Sequence, residues 1–391
     1  MKILVCGAGI AGTAATLFLR KSGHDVVTIE KAPSFRPLGY VLSLKYFGLA
    51  LMKSLGLLDE LRCYGIPYTV MQVRDARGAV LQEYPEALAE KATKGSIFLL
   101  RSDLHRVLYE AVSRDAPVRL GTYLSSIAED GEGVSVTYAG GGAERFDLVV
   151  VAEGLRSSSR ALLLGNQGLR LFDVIYTATL VDGRHEVPDR IYQIYLGSGT
   201  SMLILPINDQ RLMIQCYFRG VLRSQAPNEQ VNGLLRDACR RFPERLRDTI
   251  DRIAESEYIF ADQIGMVVLP ELYCGRVAFL GDAGYCPTFL SGMGASLALL
   301  GAKALDQSLH QSADDVPDAL AGFNRLMQPV IAHYQRNAYS NVDLVLTRNP
   351  FRAMLQRWVM RVFPPAMVAR QLGHQHDLET SLLCGFGALE T

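Results

Sequence analysis

The chain has 391 residues, 49% hydrophobic and 20% charged, the balance of a folded globular protein of two or three lobes or one large composite. Forty Lys+Arg match forty Asp+Glu, so no net positive field exists to gather nucleic acid through its phosphates. No apolar run reaches the roughly 18 residues of a membrane span. Seven scattered cysteines without a C-x-x-C pair exclude a disulfide framework and a zinc site, which points to a reducing, cytoplasmic compartment.

In chain order, Lys2-Ile-Leu-Val-Cys6 is a short apolar run bounded by glycine, as a buried parallel strand should be. Lys2 ahead of an apolar run also has the outline of a leader peptide, but the glycines from Gly7 to Gly12 favour a strand and turn. Gly7-Ala8-Gly9-Ile10-Ala11-Gly12 leads into a helical pattern over Thr13–Ser22, closed by Gly23, and Asp25–Glu30 reads as a second strand. Gly7 permits the tight turn, Gly9 lets the backbone approach a pyrophosphate, and Gly12 lets helix and strand pack closely. Glu30 ends the second strand, where a carboxylate can accept from ribose hydroxyls. Strand, glycines, helix, strand and acid in register define a dinucleotide site, without separating NAD from FAD.

A helical stretch is expected over about 45–64 and a hairpin over 68–84 turning at Ala76-Arg77-Gly78. Arg101-Ser102-Asp103-Leu104 opens a helix with Ser102 placed to cap it. Residues 118–151 alternate as strands and end in Glu153-Gly154-Leu155-Arg156-Ser157-Ser158-Ser159-Arg160. From about Phe172 to Leu269, Tyr-, Ile- and Val-rich strands form a separate antiparallel sheet, the natural wall of a substrate pocket. On two of its strands Gln193 with Tyr195, and Gln215 with Tyr217, alternate onto one face and are candidate pocket residues, as is Pro287. Gly275–Ala283 is another strand ending in Asp282, followed by Gly292-Met293-Gly294-Ala295 at the start of a small-residue helix over about 296–309. Helices near 318–334 and 351–362 come next and are candidates to cap the substrate chamber. No repeat or low-complexity linker marks a boundary, so the lobes interleave.

The three stations Gly7–Gly12, Glu153-Gly154 and Gly281-Asp282, with Pro287 and Gly292–Gly294, resemble in order and spacing the group A FAD-dependent monooxygenases, aromatic-hydroxylase-like flavoproteins, over roughly residues 1–310. The resemblance implies an α/β fold: a Rossmann-type FAD-binding domain (1–70, 95–165 and 270–310) interleaved with an antiparallel-sheet substrate domain (71–94 and 166–269), and a helical C-terminal region (311–391). It implies that Gly7, Gly9, Ala11 and Gly12 line the FAD pyrophosphate and that Glu30 holds the adenosine ribose. Arg101 and Asp282 are implied at the pyrophosphate–ribitol region, and Gly292, Met293, Gly294 and Ala295 as backbone donors to the pyrimidine end of the flavin. Two departures stand out. The family's mid-chain Asp is Glu153 here, and the usual Gly-Asp-Ala-Ala-His reads Gly281-Asp282-Ala283-Gly284-Tyr285, with no histidine for proton transfer.

The function so implied is NAD(P)H-dependent reduction of FAD, followed by O2 activation and hydroxylation or epoxidation of an aromatic or polyketide-like small molecule. No second Rossmann fingerprint holds a resident nicotinamide, because Gly197-Ser198-Gly199 is a hairpin turn; NAD(P)H is a transient reductant. No catalytic side chain is nominated. A flavin-dependent reductase or oxidase of prenyl or polyketide intermediates and a non-catalytic flavin-binding redox sensor share these motifs, whereas the paired tryptophans of flavin halogenases are absent, Trp358 being the only tryptophan. His374-Gln375-His376 reads as a loop rather than a metal site. The segment 349–375, rich in arginine and apolar residues and without an acid, is read first as an intramolecular packing surface, then as a dimer contact, and last as a membrane contact. Monomer and homodimer stay open.

Overall fold

The structure is a computed structural model. It describes all residues except 36–38, 89–95, 223–226, 241, 255–258, 289–290, 314, 337–341, 343–345, 366, 368–385 and 387–391. His374, His376 and Cys384 lie outside the described residues, as does the segment 349–375 beyond Met367. The six described cysteines are free.

The strands are β1 (Lys2–Cys6), β2 (Asp25–Ile29), β3 (Val41–Lys45), β4 (Val70–Asp75), β5 (Val80–Pro85), β6 (Ser96–Leu100), β7 (Leu124–Glu129), β8 (Val134–Tyr138), β9 (Ala143–Phe146) and β10 (Leu148–Val151). They continue with β11 (Leu169–Asp182), β12 (Ile191–Leu196), β13 (Thr200–Asn208), β14 (Arg211–Arg219), β15 (Phe260–Val267), β16 (Tyr273–Cys274) and β17 (Val277–Phe279). A five-stranded sheet has the order β16-β17-β10-β1-β2, parallel except at β16. Strands this short and apolar are buried on both faces, and their residues alternate between two cores. Ile3, Val5, Leu148 and Val150 face the helices Ile10–Lys21, Arg101–Asp115, Gly294–Gln311 and Val316–Arg336. Leu4, Cys6, Val149, Val151 and Phe279 pack with Leu124, Val134, Val136 and Phe146 of the small β7-β8-β9 sheet.

A seven-stranded sheet has the order β15-β11-β14-β13-β12-β4-β5. Its edge pair β4–β5 comes from early in the chain and joins β12 in parallel, so the chain crosses between the two sheets more than once. One face packs on helices Asn228–Cys239 and Glu244–Ala254 through Ile175, Met202, Ile214 and Phe218. The other carries Tyr176, Tyr192, Met213 and Tyr217 and looks toward the five-stranded sheet's strand ends.

Three local expectations change. The stretch 45–64 divides into the end of β3 and the helices Tyr46–Ser54 and Leu58–Arg62. The helix from Arg101 has Leu100 at its N-cap with no side-chain cap bond, so Ser102 is a buried first-turn residue rather than the cap. Of the two late helices, Val316–Arg336 buries Leu320, Phe323 and Met327 against the dinucleotide lobe and caps no chamber; Pro350–Val362 does border the cavity.

Candidate active site

The turn after β1 is shaped by the protein's own packing. Gly7 has φ +100°, and a Cβ on Gly12 would lie 1.8 Å from the Gly7 carbonyl oxygen. Gly9 differs, because a Cβ there would meet nothing within 4 Å. The space before it is a cavity of about 740 Å³ lined by Gly9, Ile10, Ala11 and Glu30 at one end. The first-turn N–H groups of helix Ile10–Lys21 have no intrahelical acceptor, and the helix's positive end lies there. Glu30 accepts from the Ala8 and Ala32 amides, both at 2.8 Å, which fixes the carboxylate at that end. Beneath the turn, His105 Nε2 meets the Ala8 carbonyl. Burial pushes this imidazole down to about 4, against the Ala8 bond and Glu30 and with help from Arg101. Neutral histidine therefore donates Nε2–H to that oxygen.

Midway along the cavity stand Arg101 and Asp282. The Arg101 amide donates to the Tyr40 carbonyl at 2.8 Å, and its guanidinium lies 5.8 Å from the Tyr40 ring centroid. Asp282 opens onto the cavity but is enclosed by protein. That enclosure pushes its carboxyl up, opposed by the Cys286 thiol and Arg101. Pro287, Gly292, Gly294 and Ala295 line the next stretch. Met293 does not, since its side chain is buried in the helical core and its amide already donates to Ser291 Oγ at 3.1 Å.

The two departures from the family pattern have structural roles. Glu153 accepts from Ser157 Oγ, the Ser159 amide and Ser159 Oγ at 2.6–2.8 Å, which ties it to the start of helix Ser158–Leu164. On that helix the buried Arg160 donates to the Ala283 carbonyl at 2.9 Å and the Leu155 carbonyl at 2.7 Å, clamping the mid-chain turn to the Gly281-Asp282 turn. Sequence reading missed Arg160; an arginine in a serine-rich helix start looks like a surface residue. Tyr285, where the family has histidine, points into the core. Gly301 makes room for it, since a Cβ there would lie 1.8 Å from the phenol oxygen.

The far wall is the seven-stranded sheet, and its pairing register decides which residues reach the cavity. Tyr217 pairs with Ser201 and then Leu196; Gln215 pairs with Leu203 and then Ile194; all six line the cavity. Tyr195 instead falls in the row Cys216–Met202–Tyr195, and Gln193 in the row Ile214–Ile204–Gln193, on the face packed by helices. Gln193 and Tyr195 are thus corrected away from the pocket. The β12–β13 hairpin pairs odd with even residue numbers and the β13–β14 hairpin odd with odd, so the same parity on β12 and β14 means opposite faces. Gln215 Nε2 donates to the Val41 carbonyl at 3.1 Å and to Tyr176 Oη at 3.0 Å, which holds it in place.

The sheet-side wall is mainly aromatic, with Phe98, Tyr176, Tyr192, Tyr217 and Phe260, and its one charged lining residue among those described, Asp262, pairs with Arg156 at 2.5 Å. Burial pushes the Tyr176, Tyr192 and Tyr217 phenols up, so they stay protonated. Among the described lining residues the one cation is Arg101, beside Tyr40, whose ring meets Tyr176 edge-on at 5.6 Å. Ser43, Ser201 and Thr288 line the cavity with buried hydroxyl oxygens that have no partner among the described residues. Thr288 is also held at φ +89°, a strained conformation for a β-branched residue.

An open glycine backbone at a helix N-terminus, a fixed carboxylate beside it, and a cavity that continues from there to an aromatic wall offer room and donors for an elongated dinucleotide. Such an architecture is that of a dinucleotide-binding flavoprotein. Residues 1–314 match the FAD binding domain family, and the chain belongs to it. It is similar to the FAD-dependent monooxygenase asL4 of Sarocladium schorii, 26% identical over 400 residues that cover 93% of this chain and 92% of that protein. It is also similar to a flavin-dependent monooxygenase of Legionella longbeachae, 27% identical over 350 residues (86% of this chain, 87% of that one). The fold is shared with Klebsiella pneumoniae HpxO complexed with FAD and uric acid (TM-score 0.84, 22% identity, 96% of both chains). It is shared too with the tetracycline destructase Tet(51) (TM-score 0.79, 23% identity, 100% of this chain and 98% of that one). The protein is a flavoprotein monooxygenase whose cofactor is FAD.

Proposed function

We propose that the protein uses NAD(P)H as a transient reductant and O2 as oxidant to hydroxylate or epoxidise a neutral aromatic or polyketide-like small molecule. The observation that carries this reading is the continuous cavity that joins Gly9 and Glu30 to a mainly aromatic wall on the seven-stranded sheet. In this reading segments 1–70, 95–165 and 270–310 hold FAD, segments 71–94 and 166–269 hold the substrate, and 311–391 is a C-terminal addition whose described helices are Val316–Arg336 and Pro350–Val362. Gly7 and Gly12 shape the turn on which Gly9 and Ala11 meet the pyrophosphate, and Glu30 takes the ribose. Arg101 and Asp282 flank the pyrophosphate–ribitol stretch, while the backbone at Gly292, Gly294 and Ala295 faces the pyrimidine end. Bound there, FAD supplies the two-electron store and the activation of O2. The protein's own residues orient and desolvate. Tyr176, Tyr192 and Tyr217 present aromatic faces and protonated phenols, the hydroxyls of Ser201 and Thr288 await polar groups of the substrate, and the enclosed wall keeps water out.

A carboxylated substrate would be desolvated on the wall beside the Asp262 carboxylate, which favours neutral ligands. The reading is tested by following NAD(P)H oxidation against a panel of neutral polycyclic phenols and their carboxylated analogues. The expected outcome is stimulation by neutral members and one oxygen-18 atom from labelled O2 in the product. Product formation that continues without O2 would instead make the protein a reductase, and an oxidised product that needs O2 but carries no labelled oxygen would make it an oxidase.

A further inference from the structure

The helix Pro350–Val362 is amphipathic in the inverted sense. It begins cleanly, with Pro350 in the first turn and Asn349 Oδ1 accepting from the Phe351 and Arg352 amides at 3.0 and 3.2 Å. Its inward face, carrying Gln356 and Met360, lines the active-site cavity, and the Phe363 carbonyl just beyond it accepts from Gln82 Nε2 on β5 at 2.9 Å. The residues Phe351, Met354, Leu355, Trp358, Val359 and Val362 recur at the three- and four-residue spacing of one helix face. All six are exposed, Phe351 by 66% and Trp358 by 56%, and Phe363 and Met367 extend the apolar surface.

Charge on this helix is one-sided and ordered. It carries Arg352, Arg357 and Arg361 and no acid. At about 100° per residue, Arg357 and Arg361 stack along one edge of the apolar stripe, and Arg352 stands at the other edge beside Val359. Arg361 lies 3.8 Å from Asp75 and its side chain is still 58% exposed, so the neighbouring acid leaves it open to a further anion. The arginines that form no single stripe in the sequence therefore bracket the apolar face on both sides. An apolar stripe between two cationic margins matches a partner that is oily at depth and anionic at its rim. A second copy of this helix matches poorly, because a two-fold pairing would bring arginine against arginine with no acid from either helix.

We propose that this helix docks on an anionic phospholipid bilayer, with the apolar stripe inserted at the headgroup boundary and the arginines among the phosphates. The inner face of the docked helix still forms part of the cavity wall, so an apolar substrate dissolved in the bilayer would reach the site without crossing bulk water. The docking does not depend on which molecule is oxidised, so it stands or falls separately from the proposed reaction.

Trp358 is the chain's only tryptophan and sits in the stripe, which makes it a direct reporter. Full-length, FAD-loaded protein is mixed with phosphatidylcholine vesicles containing about one-third phosphatidylglycerol, and with pure phosphatidylcholine vesicles. The expected result with the anionic vesicles is a blue shift of Trp358 emission, quenching by brominated lipid, and co-sedimentation. Partitioning should be at least about ten-fold weaker into the neutral vesicles and should fall with added salt. Phe351→Glu with Leu355→Glu should abolish co-sedimentation while FAD content and NAD(P)H oxidation without vesicles persist. Arg352→Glu, the milder change, should remove the anionic preference. Emission that ignores both vesicle types, equal binding to both, or a Trp358 already shielded from iodide without lipid would each overturn the proposal. The last result would mean that another part of the chain or a second copy covers the face.

Discussion

At the Gly9 end of the cavity the protein presents backbone, and at the Tyr217 end it presents side chains. The dinucleotide end works through amides, a helix terminus and one carboxylate held by the Ala8 and Ala32 amides, so few residue types can replace the glycines there. The sheet end works through phenyl and phenol faces and the Ser201 hydroxyl, which has no partner among the described residues, on strands whose backbone would tolerate many other side chains. This contrast separates what is fixed by geometry from what is free to vary. In the proposed reading, a ligand common to the family belongs at the first end, and a ligand particular to this protein at the second.

The sharpest way to break the contrast lies within the turn itself. Gly12→Val would place a side chain 1.8 Å from the Gly7 oxygen, and is expected to lose FAD together with about 3 kcal/mol of stability or more. Gly9→Ala adds a Cβ that meets nothing within 4 Å, so it should leave the thermal midpoint of the FAD-free protein in place and weaken FAD binding alone. Equal destabilisation by both, in thermal melts paired with flavin absorbance, would show that the turn does not distinguish packing from ligand approach.

Arg160→Met tests whether the two turns flanking the cavity are held as a unit. The buried clamp from Arg160 to the Ala283 and Leu155 carbonyls is lost, at a cost of about 2–3 kcal/mol in denaturant unfolding. A neutral outcome would mean that the turns keep their places without it.

The imidazole under the glycine turn gives a pH test. In the unfolded chain His105 takes up its proton near 6.5, and in the folded protein only near 4, because burial disfavours the charged form. Between those values the unfolded state binds the extra proton, so stability is full at neutral pH and declines as pH falls, by up to about 1.4 kcal/mol per pH unit from this group. His105→Gln should flatten that part of the unfolding-versus-pH curve. An unchanged curve would place the acid sensitivity elsewhere.

The smallest expected effect concerns the sheet wall. Ser201→Ala removes a buried hydroxyl that has no partner among the described residues, so stability should hold or rise slightly while KM for a neutral substrate rises about ten-fold. Gln193→Leu acts on the other face, where Gln193 accepts from Tyr195 Oη at 2.7 Å, and should lower stability by about 1 kcal/mol with KM unchanged. The reverse pattern in steady-state kinetics and melts would invert the assignment of faces.

Much of this architecture is legible in the sequence, for reasons that differ between the two ends. The first turn can be read because strand, glycines, helix and acid follow one another within thirty residues, and local sterics alone demand them. Gly281-Asp282 and Gly292–Gly294 can be placed near it only through their order in the chain. Residues 45–64 read as one helix, since an apolar run fits a short strand as well as a helix turn, and only the pairing of β3 with β6 decides where the strand ends. Arg160 gives no local sign, because its value lies in two carbonyls, one of them 123 residues away.

The sequence by itself determined the dinucleotide fold, the alternation along the strands, and the amphipathic spacing of the late helix, all of which follow from short-range periodicity and backbone sterics. Only the tertiary structure decided which parity of β12 and β14 faces the cavity, that Tyr285 turns inward beside Gly301, and that the apolar face of Pro350–Val362 points outward. Periodicity says which residues share a face. What that face meets is set by pairing register and by the packing of distant segments, which no local pattern encodes.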